Sequence, residues 1–440
     1  MQRYDEALAH LDGGEQRARE EPEGDFAKQV RSAVLQLWEQ SQGRFDPAQV
    51  YWPTESRALL PRLADFVGPV EAAILPTGAR GVRALRRIDP GELIMVSSAL
   101  VCANTLKGRD VSQMSALARL QASEHAAVAS YERAAAISPH ARHILSSILS
   151  DGSFRDATPI QELTWGGSST RSGSSGAPKV AMNQVCNTNA FEDAGFESIF
   201  PAVAMMNHSC LPNALHVMVG DAMMIRARRS IEPGEEVSIR YFDTLRPLRR
   251  RAKVTQNWKF ACGCGRCEAE AQAGLGSFDA GASGQQTARA LRSLEAAVAA
   301  SGLAGRQAQW CLASYAKLYR RHAEQTGEAS ARERLASVLA AADPGSFEHC
   351  QVSLACCSAA YVARALAEAP PVGHQRHLSA VRDAAFEDGG GQLWQAWQRC
   401  VEAHRLRYGP VEGDTLLRLL GETAQATATD GREFCRPDRQ

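Results

Sequence analysis

The sequence predicts an α+β domain followed by an all-helical domain, and three patterns carry that prediction. Short apolar runs punctuated by Pro/Gly turns fill two stretches, 73–96 and 215–241. Segments with the three- and four-residue apolar spacing of helices come before and between these runs. Beyond a glycine-rich linker at 274–284, only helix-period segments remain. At 440 residues the chain exceeds the size at which one hydrophobic core stops growing, so two or three domains are expected.

In chain order, residues 1–70 read as a helical region. Phe26, Val30, Val34, Leu35, Leu37 and Trp38 fall on one helical face, and a similar pattern over 4–11 ends at Gly13-Gly14. Residues 73–75, 81–85 and 92–96 read as strands, with Asp89-Pro90-Gly91 as the turn before the last. These open the strand-rich domain, 71–245. An insert at about 100–180 interrupts it, alanine-rich and helical over 111–149, then a Gly/Ser loop over 166–178. Residues 215–219 and 223–227 flank Gly220-Asp221 as a β-hairpin, and Glu232-Pro233-Gly234-Glu235 turns into a strand over 236–241. A cysteine-bearing segment, 246–270, follows. The C-terminal helical domain, 285–430, has helices over 288–300, 307–318, 331–342 and 392–408, and Thr415 starts another.

Composition narrows the function classes. Hydrophobic residues make up 45% and charged residues 22%, as in an ordinary globular protein. Lys plus Arg equals Asp plus Glu at 49 each, so no basic excess points to nucleic acid. The arginine run from Arg226, Arg228 and Arg229 through Arg240, Arg246, Arg249, Arg250 and Arg251 reads as solvated or structural, and direct nucleic-acid binding is not expected. No apolar run approaches a membrane span, and the N-terminus has no secretory h-region. Twelve cysteines without such a signal read as reduced thiols, and single ones such as Cys311, Cys350 and Cys400 as small buried apolar residues. A cytoplasmic or nuclear monomer is expected.

Cys262-Gly-Cys264-Gly-Arg-Cys267 places three thiols within six residues, with glycines that let the backbone wrap an ion. Structural zinc sites are closed tetrahedra, so a fourth ligand must come from elsewhere. Cys210, Cys186, Cys102 and His208 are candidates. Cys210 is preferred, because the tight turn Ser209-Cys210-Leu211-Pro212 can present a thiol outwards.

At this point the ordered motifs resemble a SET-domain protein-lysine methyltransferase of the SMYD-like branch. Gly78-Ala79-Arg80-Gly81-Val82 resembles the first cofactor loop, and Asn189-Ala190-Phe191 the Asn-x-Phe element. Asn207-His208-Ser209-Cys210-Leu211-Pro212-Asn213 matches Asn-His-Ser-Cys-x-Pro-Asn. The strand from Gly234-Glu235-Glu236 to Tyr241 resembles the one that ends in the catalytic tyrosine, and 260–267 matches the post-SET zinc motif. The resemblance spans about 72–270. It implies a SET-domain β-fold with a zinc-bound post-SET segment and a helical-repeat-like C-terminal domain. It also implies S-adenosylmethionine as methyl donor, one structural Zn²⁺ on Cys210, Cys262, Cys264 and Cys267, and a partner protein presenting a lysine. Tyr241 would be catalytic. Arg80, Gly81, Val82, Asn189, Asn207, His208 and Phe260 would bind the cofactor, with Tyr241, Trp258 and Phe260 walling the lysine channel.

The residue types suit that chemistry. Methyl transfer is an in-line displacement, for which alignment can supply roughly 7–11 kcal/mol. An aromatic channel beside a cationic sulfonium disfavours the lysine ammonium and favours the attacking amine. Taken singly, His208 reads as structural, Trp258 and Phe260 as core, and Glu235 and Glu236 as turn and strand charges. Three departures stand out. The insert holds only Cys102 with His125, His140 and His143, too few ligands for the branch's MYND finger. Ala79 replaces a family glycine. Arg240 precedes Tyr241 where a small residue is usual, and strand alternation points it away, into a salt bridge. The alternative expectation is a catalytically weak or inactive scaffold that binds protein partners.

Overall fold

Three small sheets carry the strand-rich half of the molecule. The structure, a computed structural model, describes residues 25–46, 63–104, 116–145, 159–163, 182–193, 196–275, 287–368 and 391–411, with 6–7, 384–385, 387 and 416. The Gly/Ser loop, most of the 274–284 linker, most of 4–11 and the helix start at Thr415 lie outside these residues.

The first sheet has the order β1 (Phe66–Val67), β4 (Leu93–Ser98), β10 (Ala222–Ala227), β9 (Ala214–Val219), all antiparallel. Every residue of β10 is buried, because both faces of the sheet are covered. Met223, Ile225 and Ala227 enter the main core with Ile94, Met95 and Phe200. Ala222 and Met224 face a second cluster with Phe45, Leu63 and Leu215. The two-residue period of a strand makes that division. A bulge lies between Ile225 and Arg226, where the register against β4 shifts.

The second sheet has the order β2 (Val70–Ile74), β3 (Arg80–Ala84), β11 (Glu236–Ile239), β8 (Asn207–His208). The β11–β8 pair is parallel, Ser238 opposite Asn207 and Ile239 opposite His208. This one pairing brings residues about 30 positions apart side by side. It also corrects the expected strand end, because β11 stops at Ile239. The chain turns there and the Tyr241 N–H donates to the His208 ring instead of to a neighbouring strand.

The third sheet, β5 (Val101–Asn104), β7 (Phe196–Ile199), β6 (Ala190–Asp193), is absent from the sequence reading. Its strands are four residues each, and β6 and β7 mix charge with apolar residues, so they hold strand form through pairing, not pattern. Likewise Phe66–Val67 is a strand within a region expected to be helical. Helix α1 (Asp25–Ser41) does form there, and α2 (Ala116–Ile137) and α3 (Pro139–His143) form in the insert. Short helix α4 (Met182–Asn189) leads into β6.

Two helices, α5 (Leu248–Thr255) and α6 (Gly265–Gln272), flank the cysteine loop, and α7 (Thr287–Ala300) opens the helical domain. The helix expected over 307–318 is two, α8 (Gly305–Ala313) and α9 (Ala316–Thr326). The break has a visible cause. The Ser314 hydroxyl is drawn into a buried network with Glu270, Arg251 and Arg266, and Tyr315 leaves helical geometry. Then come α10 (Ala329–Ala342), α11 (Phe347–Glu368) and α12 (Gln392–Tyr408). Cys311, Cys350 and Cys400 are buried, as expected of small apolar side chains.

Two buried ion networks fasten the helical domain to the sheets. Asp343, just past α10, is gripped by Arg228 and by Arg240, the latter at 2.7 Å. Glu270 on α6 holds Arg251 at 2.8 Å and Arg266 at 3.2 Å, with Ser314 from α8 closing the group. The arginine run thus disperses: Arg228, Arg229, Arg240, Arg246 and Arg251 are paired with carboxylates, Arg226 is buried, and Arg249 and Arg250 are exposed on α5. No described helix is long and apolar enough to cross a membrane.

Candidate functional site

The loop after β8 and the turn after β11 build the centre of the site. Asn213, buried at the end of the loop, donates to the Glu236 carbonyl at 2.7 Å and accepts from the Ser238 N–H at 2.8 Å. These bonds staple the 209–213 loop to β11. Asn207 donates through Nδ2 to the Arg80 carbonyl and to Glu236 Oε1, both at 2.8 Å. Gly81 packs closely beside it. A Cβ there would lie 2.5 Å from Leu75 Cδ1 and 3.0 Å from Asn207 Nδ2, so a larger residue would have to displace the buried Leu75 side chain.

His208 is the pivot. Its Nδ1 accepts from the Tyr241 N–H at 3.0 Å, and its Nε2 faces Cys210 Sγ at 3.3 Å. Accepting at Nδ1 puts the ring proton on Nε2, where it donates to sulfur. One imidazole therefore ties the backbone of Tyr241 to the cysteine cluster.

Around this pivot stands an aromatic wall. Tyr241 lies 5.5 Å from Trp258 and 6.4 Å edge-on from Phe260, and His208 lies 5.6 Å from Phe260, centroid to centroid. Phe242, which sequence reasoning passed over, stacks on His208 at 4.7 Å and lies 6.2 Å from Trp258. Only its adjacency to Tyr241 could have signalled it. Lys259, between Trp258 and Phe260, has a left-handed φ of 58°. For a non-glycine residue this costs on the order of 1 kcal/mol or more and sets the directions of its aromatic neighbours.

The Tyr241 hydroxyl donates to the Met206 carbonyl at 2.8 Å. Burial, then the nearby Glu236 carboxylate, push its pKa above the ordinary tyrosine value, so it stays protonated at neutral pH. With its hydrogen committed, the oxygen's lone pairs remain as acceptors. Burial lowers the Arg80 pKa, partly offset by Tyr241, which puts that guanidinium within electrostatic reach of the hydroxyl. Glu236, read from sequence as a strand charge, instead holds Asn207.

The remaining cofactor candidates divide. Val82 is wholly buried in the main core, so only its backbone can face a ligand. Asn189 donates to the Val185 carbonyl of its own helix at 3.1 Å. Its neighbour Thr188 reaches the wall, where its carbonyl accepts from the Trp258 indole at 3.3 Å. Ala79 is exposed and its backbone is not left-handed, while Gly78 carries the positive φ of the turn. Alanine at 79 therefore demands nothing unusual. Arg240 turns away from the wall to Asp343, the direction expected of it, although it lies just past the end of β11.

The sulfur atoms of Cys210, Cys262, Cys264 and Cys267 all lie within 4.8 Å of one another. That set fits a tetrahedral thiophilic ion, and its chemistry matches a structural zinc site. Cys264 caps α6 and Cys267 lies in its first turn, where the helix dipole favours thiolate. Within this set, hydrogen bonds from Cys210 first, then Cys264 and Cys267, hold the Cys262 thiol below the usual range. Hydrogen bonds from Cys262 first hold Cys210 above it, and at Cys267 the lowering by Cys210 is outweighed by the bonds from Cys262 and Cys264. The charge behind the cluster agrees. Arg251 approaches Cys267 Sγ at 3.6 Å and Arg266 donates to the Cys210 carbonyl at 3.2 Å. Two buried guanidiniums against the single Glu270 carboxylate leave one positive charge facing a centre that four thiolates and a divalent ion would make doubly negative.

Comparison with known proteins finds a family likeness in the same stretch of chain. The pattern of the SET domain family matches residues 79–242. N-lysine methyltransferase SMYD2 of Gallus gallus is 40% identical over 87 residues, 19% of this chain and 20% of that protein. Histone-lysine N-methyltransferase SMYD3 of Homo sapiens is 36% identical over 95 residues, 21% of this chain and 22% of that one. These alignments span about a fifth of the curated relatives' length. A crystal structure of the SET domain of LSMT bound to lysine and AdoHcy aligns over 91% of this chain and 92% of its own. Its TM-score is 0.24 and its identity 12%.

Proposed function

We propose that this chain, a SET-domain protein similar to the SMYD branch, is an S-adenosylmethionine-dependent N-methyltransferase acting on a lysine of a partner protein. The observation that carries the reading is the junction at His208. One ring joins Tyr241, the aromatic wall and the four-thiol cluster, and Asn207 beside it is locked to the first-loop backbone at Arg80.

The cofactor, when bound, supplies a methyl group on a sulfonium. Asn207, the Arg80–Val82 backbone, Asn189 and His208 would hold it. Gly81 suits a close approach there, because the space a Cβ would fill is already met by the Leu75 side chain and the Asn207 amide. Tyr241, Trp258 and Phe260 would wall the lysine channel, with Phe242 behind them. That wall strips water from an entering ammonium and so favours the neutral amine. The Tyr241 oxygen, its own hydrogen fixed on Met206, can accept from the amine and hold its lone pair in line. Cys210, Cys262, Cys264 and Cys267 would hold one zinc ion that keeps the Phe260 segment against the Asn207 turn.

The scaffold alternative loses its two supports, because Ala79 is exposed and Arg240 faces Asp343. The test is transfer of label from S-adenosylmethionine to a broad panel of lysine-bearing proteins. Tyr241→Phe is expected to reduce transfer at least about 100-fold while cofactor binding persists. A folded wild type that binds the cofactor yet labels nothing on the panel would overturn the reading.

A further inference from the structure

Four arginines are buried among the described residues: Arg226, Arg228, Arg251 and Arg266. Three of them hold a carboxylate, Asp343 for Arg228 and Glu270 for the other two. Arg226 is the exception. Its Nη1 donates to the Gly91 carbonyl at 3.1 Å, and its Nε, fully buried, has no hydrogen-bond partner. No ion pair is made by this side chain. Leaving a buried charge unpaired is costly, and proteins ordinarily avoid it.

The surroundings show where a counter-charge would enter. Arg226 lies on the β10 face that meets Phe45 and Leu93, and it lines a cleft of about 780 Å³ together with Arg405 of α12. Gly91 links the Arg226 side chain to the backbone of Arg405. Its carbonyl takes the Arg226 bond, and a Cβ on it would lie 3.2 Å from the Arg405 carbonyl. Gly409, with φ of 97°, lets the chain cross the Arg226 guanidinium closely. A Cβ there would sit 2.7 Å from Cζ. Arg405 is half exposed, and its ion-pair partner Glu402 stands at 3.6 Å.

The carboxylates lining the cleft do not meet the need. Glu92 is engaged by Arg86 and Asp89 by Arg87, while Glu39 and Asp46 stand exposed to water. The C-terminal end of α12 contributes about half a negative charge near Arg226, less than a carboxylate would. Burial accordingly pushes the Arg226 pKa down to about 10. None of the cleft residues belongs to the Tyr241 site.

We propose that this cleft is a binding site for a small anion carrying a phosphate or carboxylate group, held by Arg226 from within and Arg405 from the rim. A guanidinium matches either group through its paired N–H donors.

Calorimetry on the full chain tests this with two probes, inorganic phosphate and citrate. One saturable site per chain is expected for at least one of them. Phosphate alone would identify a phosphate-bearing ligand, citrate alone a polycarboxylate, and both the shared anion chemistry. Arg405→Gln, on an exposed side chain, should weaken that binding about tenfold, and Arg226→Met should abolish it. S-adenosylmethionine binding should remain unchanged in both. Because Arg226→Met alters a buried position, Arg405→Gln is the deciding variant. No saturable binding of either probe up to about 10 mM, or binding indifferent to Arg405→Gln, would overturn the proposal.

Discussion

Replacing Asp343 by asparagine should loosen the helical domain from the sheets and disturb the Tyr241 site together. Asp343 is 1% exposed and pairs with Arg228, 3% exposed, and Arg240, 30% exposed. In the variant Arg228 stays buried without its counter-charge, and its Nε already lacks a partner. Removing one member of a buried pair costs about 3–5 kcal/mol. Arg240 can turn to water, so its share is about 0–1 kcal/mol. A loss of about 4 kcal/mol is expected, read as a lowered urea midpoint by fluorescence of Trp310 and Trp397 in the helical domain. Adding Arg228→Met should restore much of it, since the orphaned charge is then gone. Methyl transfer should fall by up to about 100-fold, because Arg240 directly precedes Tyr241 and small displacements there misalign the amine. The wild-type contribution persists at neutral pH. Burial alone would raise the Asp343 pKa, but Arg228 and Arg240 depress it. Its stabilisation is therefore complete above the ordinary aspartate value and is lost as pH falls toward the lower folded value. A loss under about 1 kcal/mol, or further destabilisation on adding Arg228→Met, would refute the argument.

Three further outcomes are expected. Purified protein should carry one zinc per chain by elemental analysis, and Cys210→Ser should release it and unfold the 262–267 loop. Zinc sites of this type contribute on the order of 10 kcal/mol, so a variant that keeps both metal and stability would contradict the assignment. Asn207→Ala removes the bonds to the Arg80 carbonyl and Glu236, and calorimetry should show cofactor affinity reduced at least about tenfold. An unchanged dissociation constant would place the cofactor elsewhere. His349 and His404 are buried and neutral, and burial lowers both pKa values to about 4. Their unfolded forms take up protons first, so helical-domain stability should fall as pH drops from about 6.5 to 4, by roughly 3 kcal/mol for each. His349→Gln with His404→Gln should flatten that slope, and an equally steep profile would assign it to other groups.

Much of this protein is determined by short-range pattern. The helix Gln392–Tyr408, the hairpin of β9 and β10, and the gathering of Cys210 with Cys262, Cys264 and Cys267 were all legible, because periodicity, turn residues and motif spacing are local properties. What pairs with what over long separations was decided only in three dimensions. The β5–β7–β6 sheet has no pattern of its own and exists through its partners. The split at Ser314 follows from a carboxylate 44 residues earlier in the chain. Phe242 and Glu236 joined the site because the parallel β8–β11 register and the His208 pivot put them there. Arg240 and Arg226 show the division most plainly. Both are arginines on or beside sheet strands in one charged run, yet one finds Asp343 and the other finds a cleft. A buried charge is defined by the groups that reach it, and tertiary packing alone chooses them.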